Sequence, residues 1–205
     1  MKKKNNKNDL SGMIKELIII YQQISKDKNI MNVQYYNENE IANGFTLGKN
    51  LNKINENNYC EKINQIINDE EYQLIFIDLS VITMYLIFDN NKKLVSSSFS
   101  FIPYSESSKI EELSRYIRID YDEKNKIEFT HSLVHTHIGP CKNNIRIPVD
   151  HIVTPSEFVY IILKYYYQDD SDIIKKFKVE QIDKEVLTTS EREKLFISFN
   201  KKKQI

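Results

Sequence analysis

The chain has 205 residues, and its 29 Lys+Arg balance 29 Asp+Glu to a formal net charge of zero. That length suits one compact domain with a modest appendage, and the neutral balance excludes a broadly basic nucleic-acid binder, confining any such role to a local patch. The two cysteines, Cys60 and Cys141, lie far apart in no CxxC pattern, which points to reduced thiols in the cytosol.

Residues 1–8 read as a disordered Lys/Asn tail, and residues 9–200 as a single domain. Lys2 to Lys4 and the apolar run Leu17 to Ile20 imitate a secretory signal. The run is short, Lys15 and Glu16 interrupt its approach, and no small-residue cleavage site follows. No stretch approaches the roughly 20 apolar residues that span a bilayer, so the expectation is a cytoplasmic protein without a membrane partner. Leu10, Met13, Ile14, Leu17, Ile18 and Tyr21 recur at helical spacing and predict an amphipathic helix over about 9–26, docked on the domain by that stripe. Val33 to Tyr36 suggests a short strand. Gly44 and Gly48 invite a phosphate-loop reading, but their spacing and the missing Lys-Ser/Thr pair favour turn glycines. Tyr59 to Asp69 predicts a short helix with Ile63, Ile66 and Ile67 inward.

The strongest strand signal spans Tyr72 to Pro103. LIFID, VITMYLIFD and LVSSSFSFIP are rich in β-branched and aromatic residues. Asp89 to Lys93 suits a hairpin loop. Val81 to Phe88 is apolar on both parities, as expected of a central strand covered on both faces. Ser105 to Glu112 reads as a polar crossing. Downstream, Thr154-Pro155-Ser156-Glu157 supplies an N-cap Thr, a first-turn Pro and a Glu three residues past the cap, predicting a capping box and a buried helix to about Gln168. A strand at Phe177–Ile182 and a helix from Ser190 through Phe199 complete the expectation. The fold class is α+β: an antiparallel sheet of about five to seven strands packed against N-terminal, middle and C-terminal helices.

The stretch Arg115–His151 carries the candidate chemistry, because it holds all four histidines of the chain. Side chains alternate between faces along a strand. Ile117, Ile119 and Tyr121 therefore share one face, and Arg118, Asp120 and Asp122 the other. Val134 and Ile138 alternate with His131, His135 and His137, and Ile145, Ile147 and Val149 alternate with Arg146, Pro148 and Asp150. If these three runs pair as neighbours, Arg118, Asp120, His135, His137 and Arg146 meet on one polar surface.

Three chemistries fit that surface. In the first, His135 and His137 stand about 7 Å apart along the strand, at roughly 3.3 Å per residue. They could then serve as two ligands of one transition-metal ion, with His151 as a third. The HxH pattern resembles that of cupins, without their glycine framework or acidic ligand. In the second, Arg118, Asp120, His135, His137 and Arg146 form a metal-free RNase site, a histidine taking the 2′-hydroxyl proton and an arginine stabilising the phosphorane. R-x-D, a turn and H-x-H resemble small bacterial toxin RNases of the TumE type. In the third, Arg118 and Asp120 form a cross-strand ion pair, and the histidines pack structurally or against a partner protein. Cys141 reads as a small buried thiol, with a Cys-His nucleophile as the alternative. The cofactor stays open.

Taken in order, RIDYD, H-x3-H-x-H-x-G, RIPV and TPSEF followed by IILKYYY resemble an uncharacterised bacterial family, the domain of unknown function numbered 2290. DLSVITMYLIFD and SFSFIPYS fit it upstream, so the resemblance runs from about Tyr72 to Gln168. It implies a small bacterial cytosolic protein and connects it with mobile-element conflict and phage-defence neighbourhoods; it implies no catalytic residues. The expected function is a non-catalytic accessory or partner-binding subunit of such a system. The alternatives are the RNase-like effector and the metal-binding protein.

Overall fold

The computed structural model describes residues 9–34, 46–47, 54–55, 57–106, 115–124, 133–140, 146–149 and 151–167, and the side chains of 46, 47 and 146 are not among what is described. The basic tail, Gly44 and Gly48, His131, Cys141, Asp150, and the expected elements at Phe177–Ile182 and Ser190–Phe199 lie outside these residues, as does most of the Ser105–Glu112 crossing.

Helix α1 spans Leu10–Ile24, and the Asp9 side chain caps it by accepting from the Gly12 amide at 2.8 Å. Such a cap satisfies one of the helix's orphan donors. Leu10, Met13, Ile14, Leu17, Ile20 and Ile24 are buried. The buried stripe is rotated from the expected one: Tyr21 is 37 % exposed and Ile18 is only partly buried. Positions 10, 13, 17, 20 and 24 stay aligned at 3.6 residues per turn, and Tyr21 falls at the edge of that arc.

The strands are β1 (Ile30–Val33), β2 (Thr46–Leu47), β3 (Leu74–Phe76), β4 (Val81–Phe88), β5 (Leu94–Ile102), β6 (Ile117–Asp122), β7 (Val134–Ile138) and β8 (Arg146–Pro148). Strand β1 starts three residues before the expected Val33–Tyr36 run. The sheet order is β1-β3-β4-β5-β6-β7-β8, with the two-residue β2 also on β4. Every pairing among the described residues is antiparallel. The α+β class and its antiparallel sheet are as expected, seven strands forming the continuous path and β2 adding an eighth.

Hairpin β4–β5 is the longest pairing. Asp89 Oδ1 accepts from the amides of Asn91 at 2.9 Å and Lys93 at 2.8 Å, an Asp turning the chain through its own side chain. The Leu10 amide donates to the Lys92 carbonyl at 2.9 Å, which ties the start of α1 to this hairpin.

One face of the sheet carries Ile82, Met84, Leu86, Phe99, Phe101, Ile119, Tyr121 and Val134, packed with residues of α1 and of α3 (Pro155–Tyr166) in one core. Phe99 meets Phe158 of α3 at 5.6 Å between centroids. Each such buried side chain contributes about 1.5–3 kcal/mol. The predicted capping box starts α3: Thr154 Oγ1 accepts from the Glu157 amide at 3.2 Å, and Glu157 Oε2 from the Thr154 amide at 2.8 Å. Ser156 Oγ donates to the buried Glu16 of α1, so a polar contact joins the two helices beside their apolar one.

On the opposite face, α2 (Tyr59–Asn68) buries Tyr59, Ile63 and Ile66 against Val81, Ile102 and Tyr116. Tyr59 Oη donates to the Pro103 carbonyl at 2.5 Å and fixes the helix at that end. Beyond α2 this face turns polar, and the candidate site lies there. Among the described residues, no helix is long and apolar enough to cross a membrane.

Candidate functional site

Register, rather than any single strand, assembles the site. Thr83 on β4 pairs with Ser100 on β5, Ser100 with Arg118 on β6, Arg118 with His137 on β7, and His137 with Arg146 on β8. The next row on the same face is Tyr85, Ser98, Asp120, His135 and Pro148. Antiparallel partners share a face, with Cβ atoms about 4.5–5.5 Å apart. The polar alternation of three consecutive strands therefore becomes two adjoining rows of hydroxyls, charges and imidazoles.

Asp120 is the hub. Its Oδ1 accepts from Ser98 Oγ at 2.7 Å. Its Oδ2 accepts from Arg118 Nε at 2.9 Å and lies 3.1 Å from His137 Nε2 and 3.8 Å from His135 Nε2. The two imidazole rings meet edge to face, centroids 4.8 Å apart. Burial is uneven: His135 and His137 are 3 % and 4 % exposed, whereas the Arg118 and Asp120 side chains are 20 % and 18 % exposed. On β7 the histidine side is thus the covered one, and Ile138 on the other parity is exposed.

The electrostatics follow from this packing. Burial disfavours the charged form of Asp120, but His137, Arg118 and Ser98 outweigh it together and hold the carboxyl below its ordinary range. Burial pushes the Tyr116 hydroxyl up, with Arg118 and Ser100 pulling the other way, so it stands protonated at neutral pH.

His137 Nε2 is the anomaly. It is fully buried and, despite its closeness to Oδ2, makes no aligned hydrogen bond. A buried polar atom without a partner costs on the order of 1–3 kcal/mol. Asp120 Oδ2, 3.1 Å away, lies close to this nitrogen without the alignment of a hydrogen bond. One ligand atom from each of Asp120, His135 and His137 lies within 4.8 Å of the others, which makes these three a candidate metal-binding group. Two imidazoles and a carboxylate are a donor set suited to zinc or another first-row transition metal.

Arg118, Asp120, His135 and His137 are thus brought together. Arg146 occupies the β8 position paired with His137. His151 is held elsewhere, its Nε2 3.2 Å from Glu157 Oε1 at the start of α3, and Asp120 stands in the group where His151 was expected. The Arg118–Asp120 contact runs along one strand, two residues apart, rather than across strands. Sequence reasoning missed Ser98, Ser100 and Tyr116. The alternating serines of β5 were legible as a wetter face, and Tyr116 shares the parity of Arg118 and Asp120, but only the register joins them.

No curated protein and no solved structure matches the chain. The family described as Uncharacterized conserved protein (DUF2290) matches over residues 22–200, a span that begins well upstream of the resemblance at about 72–168 and takes in every residue of the site. The chain belongs to that family.

Proposed function

We propose that the chain is a metalloprotein in which Asp120, His135 and His137 hold one transition-metal ion. The observation that carries this reading is the buried His137 Nε2, unsatisfied beside a carboxylate and a second imidazole. An ion among the three would take the nitrogen lone pairs that the carboxylate cannot. Three protein ligands leave a coordination position open, the arrangement of catalytic rather than structural zinc sites. Ser98 and Arg118 already orient the carboxylate, as outer partners of a metal ligand do. The guanidinium opposes a cation: at roughly 4 Å and an effective dielectric of 20, each unit of charge costs about 4 kcal/mol. The Asp120 carboxylate, in contact with the guanidinium, offsets part of that repulsion.

The metal-free RNase reading loses support, because an RNA strand must bring its 2′-hydroxyl within hydrogen-bond reach of a histidine, and both histidines are covered. A partner-binding role in a bacterial conflict system gains no support from α1, whose buried stripe lies in the chain's own core. Calorimetric titration of zinc into chelator-treated protein tests the proposal. One equivalent is expected to bind, with affinity reduced at least about 100-fold in His137→Ala and Asp120→Ala and little changed in His151→Ala. Equal binding by folded wild type and His137→Ala, or none by wild type, would sink it.

A further inference from the structure

We propose that the metal-loaded centre binds a small anion, a carboxylate or an inorganic oxyanion, at its open position beside Arg118. The inference rests on the metal reading above and names the ligand class of that same site.

Charge is the first argument. Imidazoles must be neutral to ligate. Among the described residues, one divalent ion and the Arg118 guanidinium then face a single hub carboxylate, Asp120, which leaves two net positive charges between these groups. Such an excess is costly away from bulk water unless an anion offsets it. Among the described residues on this face, the next carboxylate is Asp122, one row further along β6 and opposite Ser96. Two more residues along a strand is roughly 6.6 Å, too far for Asp122 to complete the same coordination sphere without moving.

The groups around the centre are the second argument. Thr83, Ser98 and Ser100 contribute hydroxyls to the two rows. The Tyr116 hydroxyl is hydrogen-bonded with Ser100 and Arg118. Guanidinium and hydroxyl donors beside a metal form the usual cradle of an oxyanion. Access is the third argument. The Arg118 and Asp120 side chains keep 20 % and 18 % of their surface exposed, whereas the two histidines are buried. A ligand approaching from that exposed part of the site meets the guanidinium. A small anion fits this route, whereas a polymer backbone must be led down to histidines that are 3 % and 4 % exposed.

Visible absorption of the cobalt(II)-substituted full chain, titrated with acetate and with inorganic phosphate, tests the inference. Wild type and Arg118→Gln are each read at saturating cobalt, so that only loaded protein contributes. The expected result is a saturable spectral change at one anion per cobalt, with anion affinity at least about tenfold weaker in Arg118→Gln. Tyr116→Phe is expected to weaken it less. Cobalt binding with no anion response, or an equal response in wild type and Arg118→Gln, would overturn the anion site and leave the metal centre standing. Displacement of the anion by a short oligoribonucleotide at comparable concentration would overturn the restriction to small ligands. Failure of cobalt to bind at all would overturn the metal reading itself, and this inference with it.

Discussion

Asp120 sets the electrostatic character of the site, because a single carboxylate gathers Ser98, Arg118 and His137. Its folded-state pKa is lowered, so the group contributes stability above its unfolded pKa of about 3.9 and loses it as the pH falls through the folded value. In metal-free protein, Asp120→Asn is therefore expected to be less stable than wild type at neutral pH. The gap should narrow as the pH drops below about 4 in urea unfolding, and a gap independent of pH would contradict this role. Tyr121, on the apolar face, works at the other extreme. Burial, then Glu123 and Asp122, push its hydroxyl up to about 12 from 10.0. The unfolded chain thus ionises first, and stability falls as the pH rises above 10. Tyr121→Phe should flatten that alkaline decline, with unfolding followed by circular dichroism, and a variant that declines as steeply as wild type would remove Tyr121 as its source. At this scale the sequence was informative where alternation was strict: parity alone places Arg118, Asp120, His135 and His137 on one surface. It was uninformative about His151, because a residue outside a strand has no parity to read and the Glu157 beside it belongs to a helix cap.

Among the elements, the capping box of α3 was the most legible, since Thr154 and Glu157 satisfy each other's backbone amides locally. Thr154 is fully buried, so its loss uncovers an amide that water cannot easily reach. Thr154→Ala should cost about 1–2 kcal/mol of unfolding free energy, toward the upper end of cap values, and a cost below about 0.3 kcal/mol in denaturant titration would show the box to be ornamental. Helix α1 was legible in type and extent but not in rotation. Ile18, Ile20 and Tyr21 are all apolar enough to face inward, and the choice among them is made by α3 and the sheet. Strand β7 shows the same limit. VHTHI reads as an apolar and a polar face, yet the histidines are covered and Ile138 is exposed, because burial depends on what packs over each row.

For the molecule as a whole, the sheet order follows the sequence closely, so the assumption that consecutive runs pair as neighbours recovers the architecture. Its two faces divide the labour. One is sealed by α1 and α3 into the larger core, and on the other, among the described residues, α2 packs over the Val81, Ile102 and Tyr116 end. The two polar rows therefore lie on the continuation of an apolar surface, which supplies the low-dielectric wall that strengthens their interactions. Register was the part the sequence did not reveal. The connections between β6 and β7 and between β7 and β8 carry no turn motif that fixes an offset, and a slip of one residue would move every histidine to the opposite face. The pairing of Asp120 with His135 and of Arg118 with His137 is what turns a suggestive pattern into a single centre.

X-ray absorption at the zinc edge of the loaded protein tests that centre most directly. The account predicts two imidazole nitrogens and oxygen donors at about 2.0–2.2 Å with no sulfur, and loss of the imidazole signature in His135→Ala/His137→Ala. A sulfur shell, or a spectrum unchanged by the double substitution, would contradict it.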